Sequence, residues 1–442
     1  MKTEINFQII NEDIFFSEKF WIKFRKDFEQ WLLNFSSELK KIYLKELKNL
    51  SNEDLATYLY VPACRDFLNK YQSINSSKSF KKKINKFKSS LIKSTFISID
   101  KYTDEIVFNN TEFFRFFFRH ENLFPSYSKY DKGALRRQSA QYFVGNLKLQ
   151  RLLNNYSFKT IKLVKHIATL LVNINMFTKI KKLPKNILTS NHWAQNDSLH
   201  QAFLSYAKSN GSSIYVLQGS FAHPFFAFDD QFEYEKRIAT HFITWQKNSL
   251  EKELKKIELP FGSFYCKRKS TIKEGTCVTL PQIPINNILK GRSISFGLGK
   301  SLFFKSESLS YIKEYIFNLV ESSQKTIYLR TKSISFSEYE NEFKIIKDKI
   351  KFDHSDINNG GHLPVFEDMR ICYFGTAIPE AFFNGSSVSL AYHPSNEIVL
   401  KNKYRDFNKK PLNETIHNLC KPSEIEAYEN LFSKSASLSF LS

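Results

Sequence analysis

The sequence has little glycine, few cysteines and no long apolar run. Only 13 of its 442 residues are glycine, against 44 phenylalanines. The five cysteines are scattered and form no C-x-x-C pair, which argues against a disulfide framework and a zinc site. No window reaches 18 apolar residues, and the best candidate, Ile161–Phe177, contains two lysines and a histidine. We therefore predict a packed helix there rather than a membrane span.

The amino terminus also lacks the features of a secretory signal. It carries two acidic residues before any apolar stretch and shows no small-residue cleavage site. We expect a cytoplasmic protein. The 16 % aromatic and 42 % hydrophobic content excludes general disorder.

Positive charge is in excess, with 65 Lys and Arg against 44 Asp and Glu and a formal net charge of +21. Two interpretations stay open: an anionic partner, or solvated lysines on helix faces. The densest basic run, Phe80–Lys93, has apolar residues three and four apart and predicts a basic amphipathic helix. Such a helix can lie on an acidic lipid surface or cover the core. The motifs of nucleic-acid-binding domains are missing, so no nucleic-acid partner is expected.

The periodicity predicts a helical first part followed by two α/β units. Helical blocks are predicted over Phe15–Leu50 and Asn146–Ile180. Strands and helices then alternate, as in parallel sheets. The predicted strands are Asn186–Thr189, Ile214–Leu217, His241–Trp245, Ile294–Phe296, Thr326–Arg330, Met369–Phe374 and Val388–Ala391. The predicted helices between them are Asp197–Lys208, Leu309–Ser322, Glu338–Lys349 and Ile378–Phe383.

This arrangement resembles the GT-B architecture, an α/β fold in which two Rossmann-type domains face a cleft, here with a helical N-terminal extension. We expect helices over 1–180 and the rest of a first Rossmann-like domain over 181–250. Residues 251–290, rich in Pro and Gly, are expected to connect it to a second Rossmann-like domain over 291–404. Helices over 405–442 are expected to pack back against the first half of the chain.

Two strand ends carry candidate ligand-binding residues. Gln218-Gly219-Ser220 follows a buried strand, where glycine lets the backbone approach a ligand and His223 can act as a general base. Gly375-Thr376 precedes a helix with Glu380 in its first turn, an arrangement that suits phosphate and ribose binding. An ordinary turn at the first and simple helix capping at the second remain alternatives.

Two further stretches imitate known motifs without matching them. Asp353–Leu363 contains His354 and His362, whose spacing fits no common zinc pattern, so no metal site is expected. Phe296–Ser301 (FGLGKS) lacks the full P-loop spacing, and we interpret it as a glycine-rich loop after a strand that brings Gly297 and Lys300 to the cleft.

Over residues 184–395 the chain resembles transferases of bacterial surface-carbohydrate loci, relatives of capsule-type GT-B glycosyltransferases. The similarity rests on Leu217–Ser220, Glu233 and Glu235 before Phe242–Trp245, Tyr328–Arg330 and Thr376–Ala381. The chain departs from the family where Gln218 replaces a histidine, Ser220 replaces a glycine, and Trp245-Gln246-Lys247 replaces W-G-W.

The resemblance implies a glycosyltransferase of surface-glycan biosynthesis. It uses a nucleotide-sugar donor, such as a CMP-activated ulosonic or nonulosonic acid, and a glycan or lipid-linked acceptor. It works without a further cofactor at the inner face of the membrane. The implied catalytic residues are His223, Gln218 and Glu233, and the implied donor-binding residues are Gly219, Gly297, Lys300, Arg330, Gly375, Thr376 and Glu380. The alternatives are a CDP-polyol or glycerophosphate transferase and a catalytically degenerate glycan-binding scaffold.

Overall fold

The structure of the protein is a computed structural model. The described residues are 18–72, 105–108, 147–156, 161–178, 183, 186–190, 198–218, 225–244, 255–258, 272–281, 306–331, 333–353, 366–373, 377–378, 381 and 385–392. Five of the described helices lie before residue 180. They are α1 (Glu18–Ile42), α2 (Leu44–Leu47), α3 (Asn52–Gln72), α4 (Leu147–Asn155) and α5 (Ile161–Phe177).

Helix α1 shows why this part is helical. Phe24, Phe28, Leu32, Phe35 and Leu39 recur every three or four residues and are all buried. That spacing places them on one face of a 3.6-residue helix, where they pack against α3. Helix α3 in turn packs against α5 and against the helices of the first sheet.

The first sheet has five parallel strands in sequential order, β1-β2-β3-β4-β5. Three of its crossover segments contain described helices: α4 and α5 lie between β1 and β2, α6 (Ser198–Ser209) between β2 and β3, and α7 (Asp230–Ile238) between β3 and β4. Helix α6 ends at Ser209, and the positive φ of 93° at Gly211 then lets the chain turn into β3. The strands are β1 (Glu105–Phe108), β2 (Asn186–Ser190), β3 (Ser213–Leu217), β4 (His241–Thr244) and β5 (Lys255–Glu258).

The second sheet is also parallel, in the order β10-β9-β6-β7-β8. Counted from its own first strand, this is the order 3-2-1-4-5, which matches five of the six strands of the Rossmann order 3-2-1-4-5-6. Its strands are β6 (Lys273–Thr279), β7 (Ile327–Arg330), β8 (Ile350–Phe352), β9 (Phe366–Ile371) and β10 (Ser387–Leu390), and its helices are α8 (Ser306–Ser322) and α9 (Ser333–Glu342).

Both faces of the second sheet are covered. Helices α8 and α9 bury one face, which includes Val278 and Leu329. The opposite face, which includes Met369 and Ile371, shares a cluster with Ala377, Ile378 and Ala381. That cluster is continuous with the core of the first sheet and its helices.

The predicted strands and helices that lie among the described residues are confirmed, with ends shifted by a few residues. The largest shift is at Glu338–Lys349, where the helix is Ser333–Glu342 and a 3₁₀ turn follows at Lys344–Ile346. The predicted helix Ile378–Phe383 lies mostly outside the described residues. The prediction for residues 251–290 is wrong in one respect, because this expected connection contains β5 and the central strand β6. The proline and glycine residues that suggested a linker flank β6 or form its bulge. The predictions for Phe80–Lys93, Ile294–Phe296 and 405–442 lie outside the described residues.

Candidate functional site

The order of the second sheet creates a switch point between β6 and β9. From β6 the chain moves to β7 and β8 on one side, and it later returns through β9 and β10 on the other. In such sheets ligands bind beyond the carboxyl ends of the two strands at the switch point. Here those ends are Thr279 and Ile371, and the Cys372 amide donates to the Thr279 carbonyl at 3.1 Å. This edge is the candidate site.

A buried ion pair lies beside the switch point. Arg330 ends β7 and is the register partner of Thr279. Its Nε donates to Asp353 Oδ2 at 2.7 Å, and its Nη2 makes a second contact with the same oxygen. The guanidinium also lies over the Phe366 ring, 5.4 Å from the ring centroid. Asp353 therefore balances the charge of the arginine that the sequence predicts to bind the donor.

Two threonine hydroxyls occupy the same edge. Thr331 Oγ1 donates to the Pro281 carbonyl at 3.2 Å and ties the segment after β7 to the segment after β6. Thr279 is 1 % exposed, and its Oγ1 has no hydrogen-bond partner in the described part of the chain. A buried hydroxyl in that state costs about 1–3 kcal/mol, so it calls for an explanation.

Six predicted donor-binding residues lie outside the described residues, and one of them, Gly219, comes shortly after β3 of the first sheet. In chain order, Gly297 and Lys300 fall between β6 and α8, and Gly375, Thr376 and Glu380 fall between β9 and β10. These are the two connections that leave the switch-point strands. The donor-binding roles of these residues stay predictions.

At the first sheet, Gln218 follows β3 and is fully buried at the carboxyl edge. On the neighbouring strand, Thr189 Oγ1 lies 3.2 Å from His200 Nε2, in the first turn of α6. Burial lowers the pKa of His200 to about 3, so its ring is neutral at physiological pH. The predicted residues Gly219 and His223 follow Gln218 but lie outside the described residues.

Glu233 lies between helices. It is on α7, where its Oε1 is 2.9 Å from Arg25 Nη2 on α1 and 3.0 Å from Lys236 Nζ. Burial opposes ionisation, yet the charges of Lys236 and Arg25 hold the pKa of Glu233 below its usual value. These contacts describe an ion pair that joins two helices, and the predicted catalytic role of Glu233 stays a prediction.

Sequence reasoning missed Thr279, Thr331, Thr189 and His200. The first lies in TCVT (276–279), a run of β-branched residues that is a strand signal, but the prolines that follow favoured a connection instead. Thr189 ends a predicted strand and His200 lies in a predicted helix. Nothing in their spacing indicates a mutual contact, because only the fold brings the start of α6 beside the end of β2.

Within the described residues, no group of three His, Cys, Asp or Glu side chains could hold a metal ion. None of the described helices has the length and hydropathy needed to cross a membrane.

No family model matches the chain, and no curated protein matches it. A solved structure that it resembles is the UDP-GlcNAc 2-epimerase of Methanocaldococcus jannaschii in complex with UDP-GlcNAc and UDP. The identity is 10 % and the TM-score 0.36, over 65 % of this chain and 82 % of that chain.

Proposed function

We propose that the protein is a nucleotide-sugar-dependent glycosyltransferase of bacterial surface-glycan biosynthesis. The observation that carries the proposal is the β10-β9-β6-β7-β8 order, with its switch point between β6 and β9. This order is typical of nucleotide-binding sheets, and the ligand lies at the carboxyl edge. Of the six predicted donor-binding residues outside the described part, five belong to the two connections that leave this switch point.

In this proposal the second sheet binds the nucleotide and the first sheet binds the acceptor. Lys300 and the helix start after Gly375 would stabilise the negative charge of the leaving nucleotide. Glu380 would accept hydrogen bonds from the ribose, and His223 would serve as the base. A lipid-linked acceptor would give the basic run Phe80–Lys93 a role at an acidic membrane surface.

The test is a donor panel. Purified protein is incubated with CMP-linked ulosonic acids, UDP-, GDP- and CDP-linked donors, and both nucleotide release and thermal midpoint are measured. Release from one class, together with a midpoint raised by its nucleotide, supports the proposal. If no nucleotide changes the midpoint and none is released, the proposal is wrong.

A second candidate, a catalytically degenerate scaffold, is favoured by Gln218. This residue stands where the resemblance expects a histidine, and a neutral amide cannot take up a proton at the fully buried position it occupies. A nucleotide that raises the midpoint without any donor turnover would support the scaffold. Release from a CDP-linked polyol alone would instead support the CDP-polyol transferase.

A further inference from the structure

The hydroxyl of Thr279 is a buried polar group at the switch point that makes no hydrogen bond within the described part of the chain. Thr279 ends the central strand β6, with Arg330 on β7 and Ile371 on β9 as its register partners. It is therefore flanked by strands on both sides, at the edge where the ligand of a doubly wound sheet lies. The described structure provides no acceptor for its O–H.

A second threonine on the same strand shows the ordinary arrangement. Thr276 is equally buried, three residues earlier and on the opposite face. Its Oγ1 donates to Asp368 Oδ2 at 3.2 Å. Strand β6 thus contains one threonine whose hydrogen bond is made within the protein and one whose hydrogen bond is left open.

We propose that Thr279 is a donor-binding residue whose hydroxyl donates a hydrogen bond to a phosphate oxygen of the bound nucleotide. This inference rests on the proposed function. A phosphate oxygen suits the position because the central strand of such sheets lies beneath the phosphates rather than the base. A hydrogen bond to a charged oxygen is also stronger than one between neutral groups. The charge of the neighbouring Arg330 is balanced by Asp353, to which its Nε donates at 2.7 Å.

The experiment compares Thr279→Val with Thr276→Val, using calorimetric titration with CMP, CDP, UDP and GDP, and urea unfolding. Valine keeps the shape of threonine and removes only the hydroxyl. For Thr279→Val we expect about tenfold weaker binding of the preferred nucleotide, with stability unchanged or increased. For Thr276→Val we expect lower stability and unchanged affinity. Thr279→Ser keeps the hydroxyl that Thr279→Val removes, so it should retain most of the wild-type affinity.

The corresponding nucleoside identifies the atom that is recognised. Thr279→Val should leave its binding unchanged, because the nucleoside has no phosphate. Equal losses for nucleoside and nucleotide would overturn the phosphate assignment. Unchanged nucleotide affinity in Thr279→Val would overturn the inference while leaving the proposed function standing. If the wild-type protein binds none of the four nucleotides, the proposed function is wrong, and this inference is wrong with it.

Discussion

At the scale of single residues, Gly275 is the backbone position with the least tolerance. It lies in the register shift of β6 with a φ of 117°. A Cβ there would be 2.8 Å from the Thr326 carbonyl oxygen and 3.0 Å from Tyr328 Cε2. We expect Gly275→Ala to lower the free energy of unfolding by about 2–3 kcal/mol, as left-handed strain and the clash add. Urea unfolding measures the change.

Gly211 provides the matched control. Its φ of 93° is also positive, but a Cβ there would meet nothing within 4 Å. Gly211→Ala should therefore cost only the conformational penalty, about 1 kcal/mol. Equal losses in the two variants would show that the contact with Thr326 has no effect on stability.

His200 makes stability depend on pH. Its pKa is lowered to about 3 by burial in the folded state, whereas an unfolded histidine has a pKa of about 6.5. Between these values only the unfolded chain binds the proton, so folding is weakened as the pH falls below about 6.5. We expect wild type to lose up to about 1.4 kcal/mol per pH unit more than His200→Gln between pH 6 and pH 4. Unfolding in urea at pH 7, 6, 5 and 4 measures both; parallel curves would contradict the buried neutral ring.

Residue types at strand ends could be predicted from the sequence, whereas their partners could not. Gln218 was expected just after a strand, and the structure places it there. The pairing of Arg330 with Asp353 joins residues 23 positions apart, and it depends on β7 and β8 lying side by side. No local pattern encodes that distance, because strand order is decided by packing of the whole sheet.

At the scale of elements, Glu233 fastens α7 to α1. Glu233→Gln removes the charge that balances Arg25 and Lys236 inside a largely buried interface. We expect the free energy of unfolding to fall by about 2 kcal/mol, less than for a fully buried pair because Arg25 remains 28 % exposed. Urea unfolding measures the loss, and circular dichroism checks that the helices remain.

The exposed ion pair between Lys325 and Glu367 provides the control for the buried contacts of Glu233. Its two side chains are 55 % and 45 % exposed, and their charged atoms are 3.0 Å apart. Glu367→Gln should cause no measurable change, because water already solvates both charges. If Glu233→Gln is as mild as this control while donor turnover disappears, Glu233 acts in chemistry rather than in helix packing.

Elements with a strong hydrophobic periodicity could be predicted from the sequence. A strand whose apolar pattern is interrupted by glycine or followed by proline could not. Helix α1 shows a buried residue every three or four positions, and its extent was predicted to within a few residues. Strand β6 has Gly275 inside it and Pro281 just after its end, so its four buried β-branched and cysteine residues looked like part of a linker. The physical reason why β6 escapes prediction is the bulge at Gly275, because the bulge places a glycine inside a central strand.

At the scale of the whole molecule, the two sheets share hydrophobic core. One continuous cluster contains Phe28 of α1, Phe242 of the first sheet and Met369 of the second. Separating the halves would expose buried apolar side chains, each worth about 1.5–3 kcal/mol. We therefore expect one cooperative unfolding transition rather than two.

The distribution of tryptophan makes this expectation testable. All four tryptophans, Trp21, Trp31, Trp193 and Trp245, belong to the part of the chain before β6, so their fluorescence reports on the first half. Gly275→Ala perturbs the second sheet. If the halves unfold together, this variant lowers the urea midpoint of tryptophan fluorescence as much as that of circular dichroism. A fluorescence midpoint that stays at the wild-type value while the dichroism curve splits would show that the second sheet unfolds independently, and that the shared cluster contributes little to cooperativity.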